Sequence, residues 1–133
     1  MNNIWKSWEP KILSVLRIIT GFLFLWHGSS KFFGFPPSAQ SVGAMSAFKA
    51  FTGVLELGGG LLILVGLFTR WTAFILSGMM AVAYWMVFGT KGDSFLPLTN
   101  GGELPVMFCF VFFYLFFAGG GSWSMDNLLS KKE

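Results

Sequence analysis

From Lys11 to Phe33 the sequence stays apolar for about the thickness of a bilayer, yet within it the stretch "LRIITGFLFLWHGSSKFF", residues 16–33, carries Arg17, His27 and Lys31. About 20 mostly apolar residues in a helix suffice to cross the hydrocarbon core. An ionisable side chain inside such a helix is costly unless it faces protein, a partner charge or water. At about 100° per residue, Arg17, Gly21, Phe24, His27, Gly28 and Lys31 share one face, and Leu, Ile and Phe fill the opposite one. The pattern predicts a polar site inside a helical bundle.

The rest of the chain supports a membrane setting. Of its 133 residues, 54% are hydrophobic and 11% charged, against roughly 25% charged in soluble domains. The net charge of +3 is scattered, with no basic patch beyond Lys131-Lys132, so nucleic acid is not an expected partner. A single Cys109 excludes an internal disulfide or a CxxC pair. Lys6 and Lys11 precede the first apolar run, as in a signal peptide, but the run continues to Phe33 and further spans follow. It reads as a retained first helix.

Four spans are expected, at about 11–33, 51–68, 71–88 and 103–118. Ser7 is the expected first N-cap, with Glu9 and Pro10 in the opening turn. Pro36-Pro37 ends the first span, "TRW" at 69–71 joins the second to the third, and "GTKGDSFLPLTNGG" at 89–102 leads into the fourth. Small residues, namely Ala73, Ser77 and Ala81 on the third span and Gly58, Gly59, Gly60 and Gly66 on the second, predict close helix packing. The expected fold is all-α, an integral membrane four-helix bundle in one domain covering residues 1–133. An even number of spans puts both termini on one side. That side holds Lys6, Lys11, Arg70, Lys131 and Lys132, and the other Lys31, Lys49 and Lys91. The excess predicts cytoplasmic termini in a multi-pass protein, with Trp5, Trp8, Trp71 and Trp123 at that interface.

Topology gathers the remaining polar groups at the far end. His27 and Lys31 close the first span, Glu56 lies just inside the second, Asn100 and Glu103 open the fourth, and Tyr84 and Trp85 end the third. His27, Lys31, Glu56, Asn100 and Glu103 are the candidate ligand-binding set. Glu56 and Lys31 can neutralise each other, and a histidine titrates near neutral pH in the absence of perturbation. Such a set could hold the carbonyls of a quinone head group and handle its protons. The competing reading is an internal salt-bridge network that fixes helix register. At the other end, Arg17 and Asp126 are expected to form a structural salt bridge. No zinc spacing and no phosphate loop following a strand are present, so no metal is expected.

These pieces together resemble the DoxX family of small four-helix bacterial and archaeal membrane proteins. The resemblance rests on "LRIITGFLFLWHGSSKFFG" (16–34), "GVLELGGGLLILVGLFTRWTA" (53–73), "NGGELPVMF" (100–108) and "GGGSWSMDNLL" (119–129), in order along nearly the whole chain. It implies a four-helix fold in the cell membrane and an association with redox chemistry, through quinone or through membrane thiol-stress complexes. The family pattern maps onto Arg17, His27, Lys31, Glu56, Asn100, Glu103 and Asp126. It often has a histidine on the third helix where this chain has Tyr84-Trp85, which argues against a metal or haem pair here. The resulting expectation is a redox-associated subunit binding quinone or a similar lipophilic ligand, beside another redox subunit or in a homo-oligomer. The alternative is a non-enzymatic scaffold or small permease-like protein.

Overall fold

The computed structural model describes residues 3–37, 45–88, 96–97 and 102–131. Its elements are helical, with no strand among the described residues. Helix α1 is Asn3–Phe33. Helix α2 is Ala47–Val65 and includes a π-helical stretch, Leu55–Gly59. Helix α3 is Thr69–Ala83 and runs on through a second π-helical stretch, Tyr84–Phe88. Helix α4 is Glu103–Ala118, and the short α5 is Met125–Lys131. The fold is that of a helical membrane protein. Helices α1 and α2 are each long and apolar enough to cross a bilayer, and α4 is a shorter apolar helix.

Two expected spans move: the second, expected at 51–68, is Ala47–Val65, and the first starts earlier. The first helix begins at Asn3, so Ser7 is no N-cap; it lies within the helix and its hydroxyl donates to the Ile4 carbonyl at 2.9 Å. Pro10 is likewise inside α1. At 31 residues and about 1.5 Å per residue, α1 exceeds a hydrocarbon core of about 30 Å. Its first turns, residues 3–10, are wholly exposed. There the Lys11 ammonium sits 4.6 Å above the Trp8 ring, an arrangement suited to the membrane–water interface.

Packing divides into two close pairs, α1 with α2 and α3 with α4. The first pair meets backbone to backbone. Gly21 and Gly28 on α1 face Gly60 and Gly53 on α2, and on each helix the two glycines are seven residues apart. A methyl group at Gly28 would come within 2.7 Å of the Leu57 amide nitrogen and 2.8 Å of the Gly53 carbonyl oxygen. These are backbone atoms and cannot swing aside. Gly28→Ala is therefore expected to cost roughly 1–3 kcal/mol by overpacking, read as a lower melting temperature in detergent. Gly58 has open space around it, so Gly58→Ala should be neutral or stabilising, by up to about 1 kcal/mol. Of the second-span glycines expected to pack, Gly59, Gly60 and Gly66 do, whereas Gly58 does not.

The second pair buries Ala73, Leu76, Met80, Phe108, Phe112 and Leu115 in a core joined by Phe24 of α1. The Ser77 hydroxyl, on the expected small-residue face, donates to the Cys109 carbonyl at 2.8 Å.

The α2–α3 turn is tight. Gly66 takes φ 75°, a left-handed value. Its N–H reaches the Ile63 carbonyl at 3.2 Å while the Leu67 N–H reaches Leu62 at 3.0 Å. This is a Schellman stop, which glycine permits at little cost. Phe68 is also left-handed, at φ 52°. Its N–H and that of Thr69 each donate to a carboxylate oxygen of Asp126 at 2.8 Å. Asp126 thus caps α3 from the far end of the sequence, and its own N–H donates to the Gly66 carbonyl at 2.9 Å.

Arg17 completes this end of the molecule. It is 1% exposed. Its Nε donates to the Ile63 carbonyl at 2.9 Å, and Nη2 donates to Trp123 at 2.9 Å and Leu64 at 3.4 Å. Nη1 donates to the Gly120 carbonyl. The last carbonyls of a helix lack partners and carry its negative pole, so a buried guanidinium at the end of α2 is well placed. The expected Arg17–Asp126 salt bridge is not among the ion pairs of the described residues. The two side chains serve the same corner, one answering carbonyls and the other N–H groups.

Candidate functional site

The site grows from one face of each of two helices. On α1, His27 and Lys31 are one turn apart. On α2, Thr52 and Glu56 are likewise one turn apart and on one face. The close approach at Gly28 and Gly53, between these residues, brings the two faces together. The π-helical stretch Leu55–Gly59 carries Glu56, and such irregular turns are frequent at functional positions.

Lys31 and Glu56 form an ion pair, Nζ to Oε1 at 2.9 Å, with side chains 14% and 5% exposed. The Lys31 ammonium also donates to the Thr52 hydroxyl at 2.7 Å. That hydroxyl in turn donates to its own helix, to the Phe48 carbonyl at 3.0 Å or the Lys49 carbonyl at 3.2 Å. An ammonium has three donors; Lys31 gives one to Thr52 and faces Glu56 as an ion pair, and it has no further partner among the described residues. His27 is half-buried. Its Nδ1 lies 3.1 Å from the Leu23 carbonyl, which in the neutral ring assigns the proton to Nδ1 and leaves Nε2 as an acceptor. The ring stands one turn from Lys31 on the same face of α1. An apolar wall backs it: Phe108 meets the imidazole edge-on at 5.8 Å between ring centres, and Phe24 lies at 6.3 Å.

Of the residues singled out from sequence, His27, Lys31 and Glu56 thus come together. Glu103 opens α4 as expected but is exposed, with no ion-pair partner among the described residues. Asn100 lies outside the described residues. Thr52 is a member that sequence reading missed. Its signal was present, since it precedes Glu56 by four residues and so shares its helical face. Among the described residues no group of three or more His, Cys, Asp or Glu could hold a metal ion.

Comparison with known proteins places this arrangement in context. The DoxX family model matches residues 12–89. A protein of Haemophilus influenzae is 42% identical over 99% of this chain and 100% of its own length. The Escherichia coli inner membrane protein YqjF is 31% identical over 96% of this chain and 98% of its own. A Bacillus subtilis protein bearing the name "Putative oxidoreductase CatD" is 43% identical over 49% of this chain and 50% of its own. No solved structure gives a significant match.

Proposed function

The chain belongs to the DoxX family, and from that premise we propose that it is a redox-associated membrane subunit holding a quinone, or a similar small lipophilic ligand, at the Lys31–Glu56 site. The observation that carries this is a largely buried Lys31 that keeps a donor without a partner among the described residues, beside the Nε2 acceptor of His27 and the aromatic wall of Phe24 and Phe108. A quinone offers a flat ring for the wall and a carbonyl for the ammonium. His27 can carry a proton to or from a reduced oxygen. The chain brings no redox centre of its own to this reading, so electrons come from a partner subunit. The name of the Bacillus subtilis relative supports the redox association.

Purified protein should retain quinone, detected by solvent extraction and ultraviolet absorbance. Preparations free of quinone that also fail to bind added quinone would exclude the reading. A second reading keeps one observation on its side. Thr52 and Glu56 satisfy two of the three Lys31 donors inside the protein, as a structural network in a scaffold or small permease-like protein would.

The orientation belongs to the same proposal. All four long helices cross the cell membrane and both termini are cytoplasmic, as the Lys/Arg balance favours. Single cysteines at positions 2 and 92 in a Cys109→Ser background test it. In intact cells an impermeant thiol reagent should label position 92 and spare position 2; the reverse pattern inverts the topology.

A further inference from the structure

The geometry points to an anionic phospholipid site at the other end of the molecule, with the lipid phosphate held by Arg70 in a cavity beside the Gly119–Gly121 turn. The cavity, about 570 Å³, lies between Pro10 and Leu13 of α1, the start of α3, and residues 118–127. It is remote from Lys31 and Glu56 and does not depend on what they bind.

Arg70 is exposed and half committed. Its Nη1 donates to the Phe117 carbonyl at 2.8 Å and closes the end of α4. Its Nε and Nη2 have no partner among the described residues. These two nitrogens form the edge of the guanidinium that grips phosphate with paired hydrogen bonds. Gly119 keeps that edge clear. A methyl group there would lie 3.1 Å from Nη2 and 3.4 Å from Nε.

A second group independently lacks a partner. Thr69 lines the same cavity and is fully buried, and its hydroxyl has no hydrogen-bond partner among the described residues. Buried hydroxyls are nearly always paired, so an orphan calls for a ligand or water. Gly121 adds an N–H. The Gly120 carbonyl turns inward to Arg17 and Ser14, and across a trans peptide the next N–H points the opposite way.

Asp126 also lines the cavity, but each of its oxygens already accepts a backbone N–H. Lys6 and Lys11 make this end of the molecule basic. The surroundings favour a lipid over free phosphate. Phe68 lines the cavity at 63% exposure and Trp71 at 69%, apolar surface that acyl chains or glycerol would cover and an inorganic ion would leave bare.

Delipidated protein in detergent, titrated with phosphatidylglycerol, should show a saturable rise in melting temperature that phosphatidylcholine does not match. Arg70→Gln should weaken phosphatidylglycerol binding about tenfold, the loss of a paired, charge-assisted contact. Because Arg70 also caps α4, Thr69→Val gives a second measure. It should melt no lower than the parent without lipid, since it removes an unpaired buried hydroxyl, and should bind the lipid several-fold more weakly. Lys6→Gln, outside the cavity, should bind like the parent. Equal protection by phosphatidylcholine would overturn the proposal, as would the same Arg70-dependent shift with inorganic phosphate alone. Parent-like binding in both cavity variants, or a loss in Lys6→Gln equal to that in Arg70→Gln, would do the same.

Discussion

Arg17→Met should be among the most damaging single substitutions in this chain, lowering stability by about 3–5 kcal/mol. The arginine donates to four carbonyls from two separate parts of the sequence, the end of α2 and the 120–123 turn, while only 1% exposed. Methionine fills much of the space but donates nothing. A buried acceptor left without its donor costs roughly 1–3 kcal/mol. Some relief is available, since the Gly120 carbonyl keeps the Ser14 hydroxyl at 3.3 Å and Ile63 keeps the Gly66 N–H at 3.2 Å. The Leu64 and Trp123 carbonyls have no such second partner outside their helix and turn among the described residues. Arg17→Lys should fall between, because one ammonium cannot reach four oxygens spread around a planar fork. Asp126→Asn should cost only about 1 kcal/mol, as for a weakened helix cap, because an amide oxygen still accepts one N–H. Melting temperatures in detergent order the three. If Asp126→Asn fell as far as Arg17→Met, the two residues would be acting as the ion pair that their positions suggest and their contacts do not show.

That contrast shows what the sequence could and could not reveal. Periodicity and bilayer length located the helices, because the burial pattern of a helix is written in its own residues. The α1 face carrying Arg17, Gly21, Phe24 and Gly28 is buried in the structure as the 100° repeat requires. Arrival of His27, Lys31 and Glu56 at one end followed from counting spans. The identity of each partner did not follow, because it depends on backbone atoms that no residue name advertises. Charge and shared depth pair Arg17 with Asp126, yet its acceptors are carbonyls of Ile63, Leu64, Gly120 and Trp123. The Asp126 partners, the N–H groups of Phe68 and Thr69, are free only because the α2–α3 turn is too short to supply a local cap. The N-terminal boundary failed for a related reason. Ser7, Glu9 and Pro10 form a plausible helix start, but helical geometry tolerates them inside α1, whose first turns are exposed. Depth places Glu103 in the site, but depth does not set the direction in which a first-turn side chain points.

The Lys31–Glu56 pair supplies the other large effect, and it separates the two readings of the site. Glu56→Gln leaves the Lys31 ammonium with the Thr52 hydroxyl as its remaining close partner in a nearly dry place. Removing one member of a buried pair costs about 3–5 kcal/mol. Glu103→Gln, at an exposed helix start, should cost far less. Lys31→Met should also destabilise, since it strands the Glu56 carboxylate. Combining Lys31→Met with Glu56→Gln removes both charges and should recover most of the lost stability, a coupling that a double-mutant cycle reads directly. That recovery is expected whichever function the site serves. Ligand retention is where the readings part. If Lys31 holds a quinone carbonyl, the double mutant should fold well and bind no quinone, because the donor is gone while the aromatic wall of Phe24 and Phe108 stays. If the pair only fixes helix register, the parent itself should bind no quinone. A double mutant that folds and binds quinone as tightly as the parent would remove Lys31 and Glu56 from the site and leave His27 to be tested alone.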